Sequence, residues 1–160
     1  MIVHARVDER LIHGQVAMVW TNTVGATRLV VANDEAATDQ MLIAALKISK
    51  PAGVRLSILS RRRAVERFSE GAYDDERVFL IFKTVGDAHW CIDHGLTLAA
   101  LNIGNVPTRP GTRAIKASVA LSPEEIGQIR DLLGRGVRVT AQMLPSESDR
   151  SIEEYLKETL

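Results

Sequence analysis

The chain has 160 residues, in which 20 Lys and Arg balance 20 Asp and Glu beside four histidines. That balance excludes a global basic field for nucleic acid or anionic lipid, so any electrostatic function must be local. A lone cysteine, Cys91, excludes an internal disulfide framework and reads as a buried thiol, and no apolar run reaches the roughly 18–20 residues of a bilayer span.

The length suits one domain over residues 1–160, with no Pro/Gly/Ser linker, repeat or low-complexity tract to divide it. The opening "MIVHARVDER" lacks the basic-then-apolar order of a leader peptide, which predicts a cytoplasmic protein. Apolar, β-branched runs of strand length then recur at 2–7, 27–32, 54–59, 77–82, 98–103, 114–119 and 137–142. The stretches between them carry helical punctuation. A helix is predicted to begin near Gly14. Another is capped by Asn33 or Asp34 and runs toward Lys50, where Pro51 and Gly53 end it. "SRRR" at 60–63 reads as the basic start of a solvated helix or part of a docking face for an acidic partner, rather than as a nucleic-acid patch. Gly86-Asp87 opens a further helix closed by His94-Gly95. Ser122-Pro123-Glu124-Glu125 is the clearest start, with a capping serine, proline at the first helical position and acids facing the positive end of the macrodipole; Gly134 and Gly136 stop that helix.

Strand and helix alternating over the whole chain predict an α/β fold: a three-layer α/β/α sandwich whose mostly parallel sheet has about six to seven strands and is covered on both faces. In such sheets ligands collect beyond the carboxyl ends of the strands, where the strand order reverses. Three loops leave strands at such ends: "DERLIHG" (8–14), Lys83-Thr84, and "GNVPTRPGTR" (104–113).

Neutral imidazole is a competent nucleophile near pH 7, so His13 suits a phosphoryl acceptor. Gly14 allows close approach, and a helix starting there aims free N–H groups at an anion on the ring. Arg6 and Arg10 supply planar donors that match phosphate, and Asp8 fixes the loop by pairing with one of them. Lys83 either reaches the phosphate or stands exposed at its strand end, and Thr84 offers a hydroxyl on a strand expected to neighbour the first. A His-Gly pair also marks ordinary turns, so the local pattern alone leaves both readings open.

The stretch "ARVDERLIHGQV" with Trp20 resembles the signature near the start of enzyme IIB of the mannose/fructose/sorbose family of the bacterial sugar phosphotransferase system (PTS). The resemblance continues through "VVANDEAATD", "PAGV", "LNIGNVP", "LSPEE" and "GVRVTAQMLP", and so covers nearly the whole chain. It implies an α/β/α sandwich and a phosphocarrier in which His13 accepts a phosphoryl group from phosphorylated enzyme IIA. The group then passes to a sugar held by the membrane subunits IIC and IID, which would hold the protein at the inner membrane without direct lipid binding. Arg6, Asp8, Arg10 and Gln15 stand at matching motif positions. Asn105 stands where a second glycine is frequent in relatives. An alternative within the same fold is a regulatory phosphoprotein that uses phosphorylation as a binding switch. No cofactor, metal or nucleic-acid partner is expected: His89 and His94 are five apart and do not share a helical ligand face. His4 reads as structural, and Trp20 and Trp90 as core anchors.

Overall fold

The computed structural model describes residues 1–158. Six parallel strands form the main sheet: β1 (Ile2–Asp8), β2 (Arg28–Ala32), β3 (Arg55–Leu59), β4 (Val78–Phe82), β5 (Ala100–Asn105) and β8 (Arg138–Ala141), in the order β3-β2-β4-β1-β5-β8. The helices are α1 (Gly14–Val24), α2 (Asp34–Thr38), α3 (Gln40–Ser49), α4 (Arg61–Ser69), α5 (Val85–Asp93), α6 (Pro123–Gly134) and α7 (Ile152–Glu158).

The near-continuous apolar runs of β2 and β4 follow from burial on both faces, as parallel strands require. Val30, Ala32, Leu80 and Phe82 point into one core, with Ala64 of α4, Cys91 of α5 and Ile129 of α6. Leu29, Val31, Phe79 and Ile81 point into the other, with Ala17 and Trp20 of α1 and Leu46 of α3. Chain connectivity then fixes the site. From β1 the chain crosses through α1 to β2, and from β4 it crosses through α5 to β5, on opposite faces and in opposite directions. The carboxyl ends of the adjacent β1 and β4 therefore open at the reversal of strand order, where a crevice forms.

Several elements differ from the sequence expectation. Residues 114–119 are not one strand of the sheet. They belong to a separate antiparallel hairpin, β6 (Arg113–Lys116) and β7 (Val119–Leu121), turning at 117–118 without Gly, Asn or Pro to announce it. Lys116 donates to Ala141 O at 3.0 Å and so ties the hairpin to the end of β8. The helix expected from Asn33 toward Lys50 is two helices. Asp39 leaves helical geometry (φ −84°, ψ 107°), and its carboxylate caps Met41 N and Leu42 N, because a short acidic side chain competes with the helix for backbone donors. Asn33 does cap the first, through Ala36 N at 2.9 Å. Thr84, rather than Gly86-Asp87, caps α5. Ser122 and Glu125 form a reciprocal capping box on α6, and Ser60 caps α4 just before Arg61. The C-terminal α7 is not among the expected elements, although Ser151-Ile152-Glu153-Glu154 has the spacing of a capping box and the Ser151 hydroxyl accepts from Glu153 N at 3.3 Å.

The tryptophans diverge. Trp20 is buried, but Trp90 is only half-buried, stacked on the His94 ring at 3.7 Å with the Arg61 guanidinium 4.9 Å from its centroid. It packs against the core from its edge and carries a surface cation–π stack on its other side, so it is a core anchor only in part. The two-sided cover is also incomplete. On the α1 side, Ala100 and Asn102 of β5 and Thr140 of β8 line an open groove where a further helix would otherwise pack.

His4 stacks between these features, 4.1 Å from Trp20 and 5.2 Å from Phe79. Burial, with the Arg6 charge adding to it, pulls its imidazolium pKa down to about 3. The unfolded chain, with an ordinary histidine pKa near 6.5, binds a proton that the folded chain refuses. The stability linked to His4 is therefore complete above pH 6.5 and is lost as pH falls toward 3, by about 1.4 kcal/mol per pH unit. Urea unfolding at pH 7 and pH 5 should show the loss in the parent and a smaller one in His4→Phe, which keeps the ring stack without the titration; equal losses would rule this linkage out.

Candidate functional site

β1 delivers Asp8 to the carboxyl edge of the sheet, and the chain then folds back on it. Glu9 N donates to Asn105 O at 2.9 Å, tying the loop to the end of β5. Leu11 N donates to Asp8 O at 2.8 Å, and Arg10 N to Asp8 Oδ1 at 3.0 Å. This tight turn puts Leu11 at φ +61°, a left-handed conformation that costs an ordinary side chain on the order of 1–2 kcal/mol. Burial offsets that strain: Leu11 and Ile12 both pack into the α1-side core. The two apolar anchors force the next residue outward, and His13 stands exposed as the N-cap of α1. It makes no side-chain capping bond, and Gly14 follows at φ +35°. The first-turn N–H groups of α1 thus lack a side-chain acceptor beside an exposed imidazole, which is an anion-binding arrangement.

Asp8 is 1 % exposed and accepts five hydrogen bonds. Arg6 Nη2 reaches Oδ2 at 3.2 Å; Arg10 Nε reaches Oδ1 and Nη2 reaches Oδ2, each at 3.1 Å. Asp8 therefore pairs with both arginines, not one. The two differ in environment. Arg6 is buried, donates through Nη1 to Gln142 O at 2.9 Å and lies over the Trp20 ring; burial lowers its pKa, and the Asp8 carboxylate opposes that shift. It is a loop-supporting residue with no face toward solvent. Arg10 keeps its side chain 30 % exposed. Met143 Sδ lies 3.5 Å from Arg6 Nη2 and 3.4 Å from Arg10 Nη2, so one thioether closes the back of both.

Other expected residues take more modest places. Lys83 Nζ stands 3.8 Å from Glu35 Oε2, a long and half-exposed pair at the end of β4. The Thr84 hydroxyl accepts from Asp87 N at 3.0 Å, so its oxygen is engaged in capping α5. β4 does neighbour β1, as expected. Gln15 is exposed in the first turn of α1. His89 pairs with Asp131 at 2.7 Å, and His94 Nδ1 contacts Trp90 O; neither lies in this loop.

Sequence reasoning missed the segment after β8. Gln142 and Met143 contact the arginines, and Trp20 Nε1 donates to Met143 O at 2.9 Å. Glu147 accepts from Met143 N, Leu144 N and Lys116. Burial works against its charge, but these donors and the nearby Lys116 cation outweigh it and hold its pKa below the ordinary value. No local pattern marks these residues, because their partners lie more than 130 positions away along the chain for Arg6 and Arg10. Gly104 also belongs to this site: a Cβ there would fall 2.1 Å from Arg6 Cζ.

Compared with known proteins, residues 2–160 match the family model described as "PTS system sorbose subfamily IIB component". The chain is 33 % identical over 158 residues to the sorbose-specific EIIB component of Klebsiella pneumoniae, covering 99 % of this chain and 96 % of that one. It is 37 % identical over 154 residues to a probable phosphotransferase enzyme IIB component of Streptococcus pyogenes, covering 92 % and 94 %. The crystal structure of the IIBSor domain of the sorbose permease from Klebsiella pneumoniae superposes with a TM-score of 0.95 at 32 % identity, covering 100 % of this chain and 98 % of that one.

Gly104→Ala should push Arg6 off its seat over β5 and unsettle Asp8 behind it. The expected cost is about 1–3 kcal/mol in urea unfolding, the range for overpacking a tight site; Gly127→Ala, where a Cβ meets nothing inside α6, is the control that holds or raises the midpoint, because alanine is favoured over glycine in a helix interior by roughly 0.5–1 kcal/mol. Equal midpoints for the two variants would show that Arg6 moves freely.

Proposed function

This chain belongs to the PTS system sorbose subfamily IIB component family, and we propose that it accepts a phosphoryl group on His13 from phosphorylated enzyme IIA and passes it to a sugar held by the membrane subunits IIC and IID. PTS IIB components are phosphotransferases, and a IIB domain implies IIA and IIC/IID partners. What supports His13 as the carrier is its placement. It is the exposed N-cap of α1 without a capping bond, one residue beyond two buried anchors and three beyond an arginine held on a buried carboxylate.

In the first step an imidazole nitrogen of His13 attacks phosphorus, the P–N bond to the donor's histidine breaks, and its electron pair returns to that ring. In the second a sugar hydroxyl oxygen attacks, the new P–N bond breaks with its electron pair returning to the His13 ring, and the hydroxyl proton passes to water. Neither step asks for covalent help from the protein beyond the nucleophile; it supplies position and charge. First-turn N–H groups of α1 face the equatorial oxygens, and the half-exposed Arg10 turns part of its donor fork toward them while Asp8 keeps hold of the rest. Arg6 stays buried and keeps Asp8 oriented. Lys83 adds positive charge at the rim, with Thr84 fixing the start of α5 and Gln15 flanking the ring. Residues 1–160 act as a single IIB domain in the cytoplasm, docked at the membrane through IIC and IID. No helix among the described residues is long and apolar enough to cross a membrane. The sorbose in one relative's name makes sorbose the first sugar to test.

Single-turnover transfer from phosphorylated IIA tests this reading, with circular dichroism confirming each fold. His13→Ala should not be labelled at all, while His89→Gln and His94→Gln are labelled normally; label on folded His13→Ala sinks the assignment. Arg10→Ala should transfer about ten- to a hundredfold more slowly, a loss of about 1.4–2.7 kcal/mol, with Arg10→Lys in between because it keeps the charge and loses the fork. A parental rate in Arg10→Ala would leave the phosphoryl group to the backbone N–H groups alone.

A further inference from the structure

Residues 142–147 follow β8 as "QMLPSE", in which Pro145 contributes no N–H. Met143 N and Leu144 N donate to no backbone carbonyl among the described residues. Both donate instead to the Glu147 carboxylate, at 3.2 and 3.0 Å. The same carboxylate accepts from Lys116 Nζ at 2.7 Å, and Lys116 also donates to Ala141 O at 3.0 Å, so one acidic side chain closes the loop at both ends. The Gln142 amide adds a bond to Glu147 O at 3.0 Å. What the closed loop turns inward is the set of contacts behind the phosphoryl site. Gln142 O accepts from Arg6 Nη1, Met143 O accepts from Trp20 Nε1, and Met143 Sδ lies against both arginines.

Asp8 does not divide itself between two guanidiniums unaided. Its Oδ2 accepts from Arg6 Nη2 at 3.2 Å and from Arg10 Nη2 at 3.1 Å, so two like charges converge on one oxygen. The loop settles the division. Gln142 O draws Arg6 inward at 2.9 Å, and Met143 Sδ stands 3.5 Å from Arg6 Nη2 and 3.4 Å from Arg10 Nη2. Arg10 then has Nε and Nη2 committed to Asp8, while its Nη1 makes no hydrogen bond among the described residues, on a side chain 30 % exposed. Nη1 is the end of the fork left for a phosphoryl oxygen. Misplacing such a donor by about 1 Å costs up to about a hundredfold in rate, so whatever holds residues 142–147 in place also sets how well Arg10 works.

We propose that Glu147 is a positioning residue for phosphoryl transfer: its carboxylate holds residues 142–147 against Arg6 and Arg10, so that Arg10 meets the phosphoryl group already oriented. This role rests on the reading of His13 as the carrier. Single-turnover transfer from excess phosphorylated IIA to the full chain tests it. Folded Glu147→Ala should transfer about five- to tenfold more slowly at saturating IIA, with the half-saturating IIA concentration unchanged. Glu147→Gln, which keeps one acceptor oxygen and loses the charge, should fall between it and the parent, and it carries the test if the alanine variant does not fold. In an Arg10→Ala background the same substitution should slow transfer by less than about twofold more, because the residue through which Glu147 acts is gone, whereas a merely structural loss multiplies in both backgrounds. In the unphosphorylated chain the Arg10 Nε–H and Trp20 Nε1–H resonances should both move. A parental rate in the folded variant, full multiplication in the double variant, a loss confined to the half-saturating concentration, or unmoved resonances each overturn the proposal. A parent that takes no label, or a folded His13→Ala that does, overturns the reading of His13 and this role with it; a parent labelled on His13 with any of the four adverse results overturns the role alone.

Discussion

The buried carboxylate of Asp8 is the constraint on which the rest of this site depends. A carboxylate at 1 % exposure or a buried guanidinium would each, without a partner, carry a heavy desolvation penalty. Each is tolerable because of the other, and removing one partner of such a pair costs on the order of 3–5 kcal/mol through the charge left behind. The pair requires that Arg6 lie flat across β5, and this is possible only because residue 104 has no Cβ. Once Asp8 is set, its second oxygen and its own carbonyl draw back Arg10 and Leu11, the left-handed turn closes, and His13 is expelled to the surface.

Two arginines of equal charge thereby do different work. Arg6 is part of the interior and answers to Asp8, Gln142 and Trp20; Arg10 shares the carboxylate but keeps a solvent face. A phosphoryl group at His13 would meet a guanidinium already oriented, so little reorganisation remains at the moment of transfer. The segment 143–149 joins this arrangement to the far half of the sheet. It presents one thioether to both arginines, is pinned by Trp20 and Glu147, and walls the groove over β5 and β8. Its shape is set by hydrogen bonds rather than by an apolar core, which makes it the part of the site most open to influence from a neighbour.

Much of the scaffold was legible because its causes are local. Runs such as "RVFLIF", short and rich in β-branched and aromatic residues, read as strands buried on both faces, and the capping box of Ser122 and Glu125 satisfies two donors within one turn. The break at Asp39 has a local cause as well, but an aspartate inside an apolar helical pattern reads equally well as a solvent-facing residue, and only the observed dihedral angles separate the two. The hairpin at 113–121 hid because its turn uses Ala117 and Ser118, with no glycine, asparagine or proline and only the weaker turn preference of a serine to interrupt the apolar run. Trp90 looked like a core residue because bulk and apolarity are visible in a sequence, while the side from which Arg61 and His94 approach is not.

By itself, then, the sequence determined the alternation of strands and helices, the loop that bears the chemistry, and the histidine within it, since each rests on neighbours a few residues apart. The tertiary structure alone decided what those residues do for one another. That Asp8 holds two arginines, that Gly104 makes room for one of them, that Met143 backs both, and that one face of β5 and β8 stays open are all contacts between segments distant in the chain. Such contacts depend on strand order and on which face each side chain takes, and neither is written in the spacing of any single stretch.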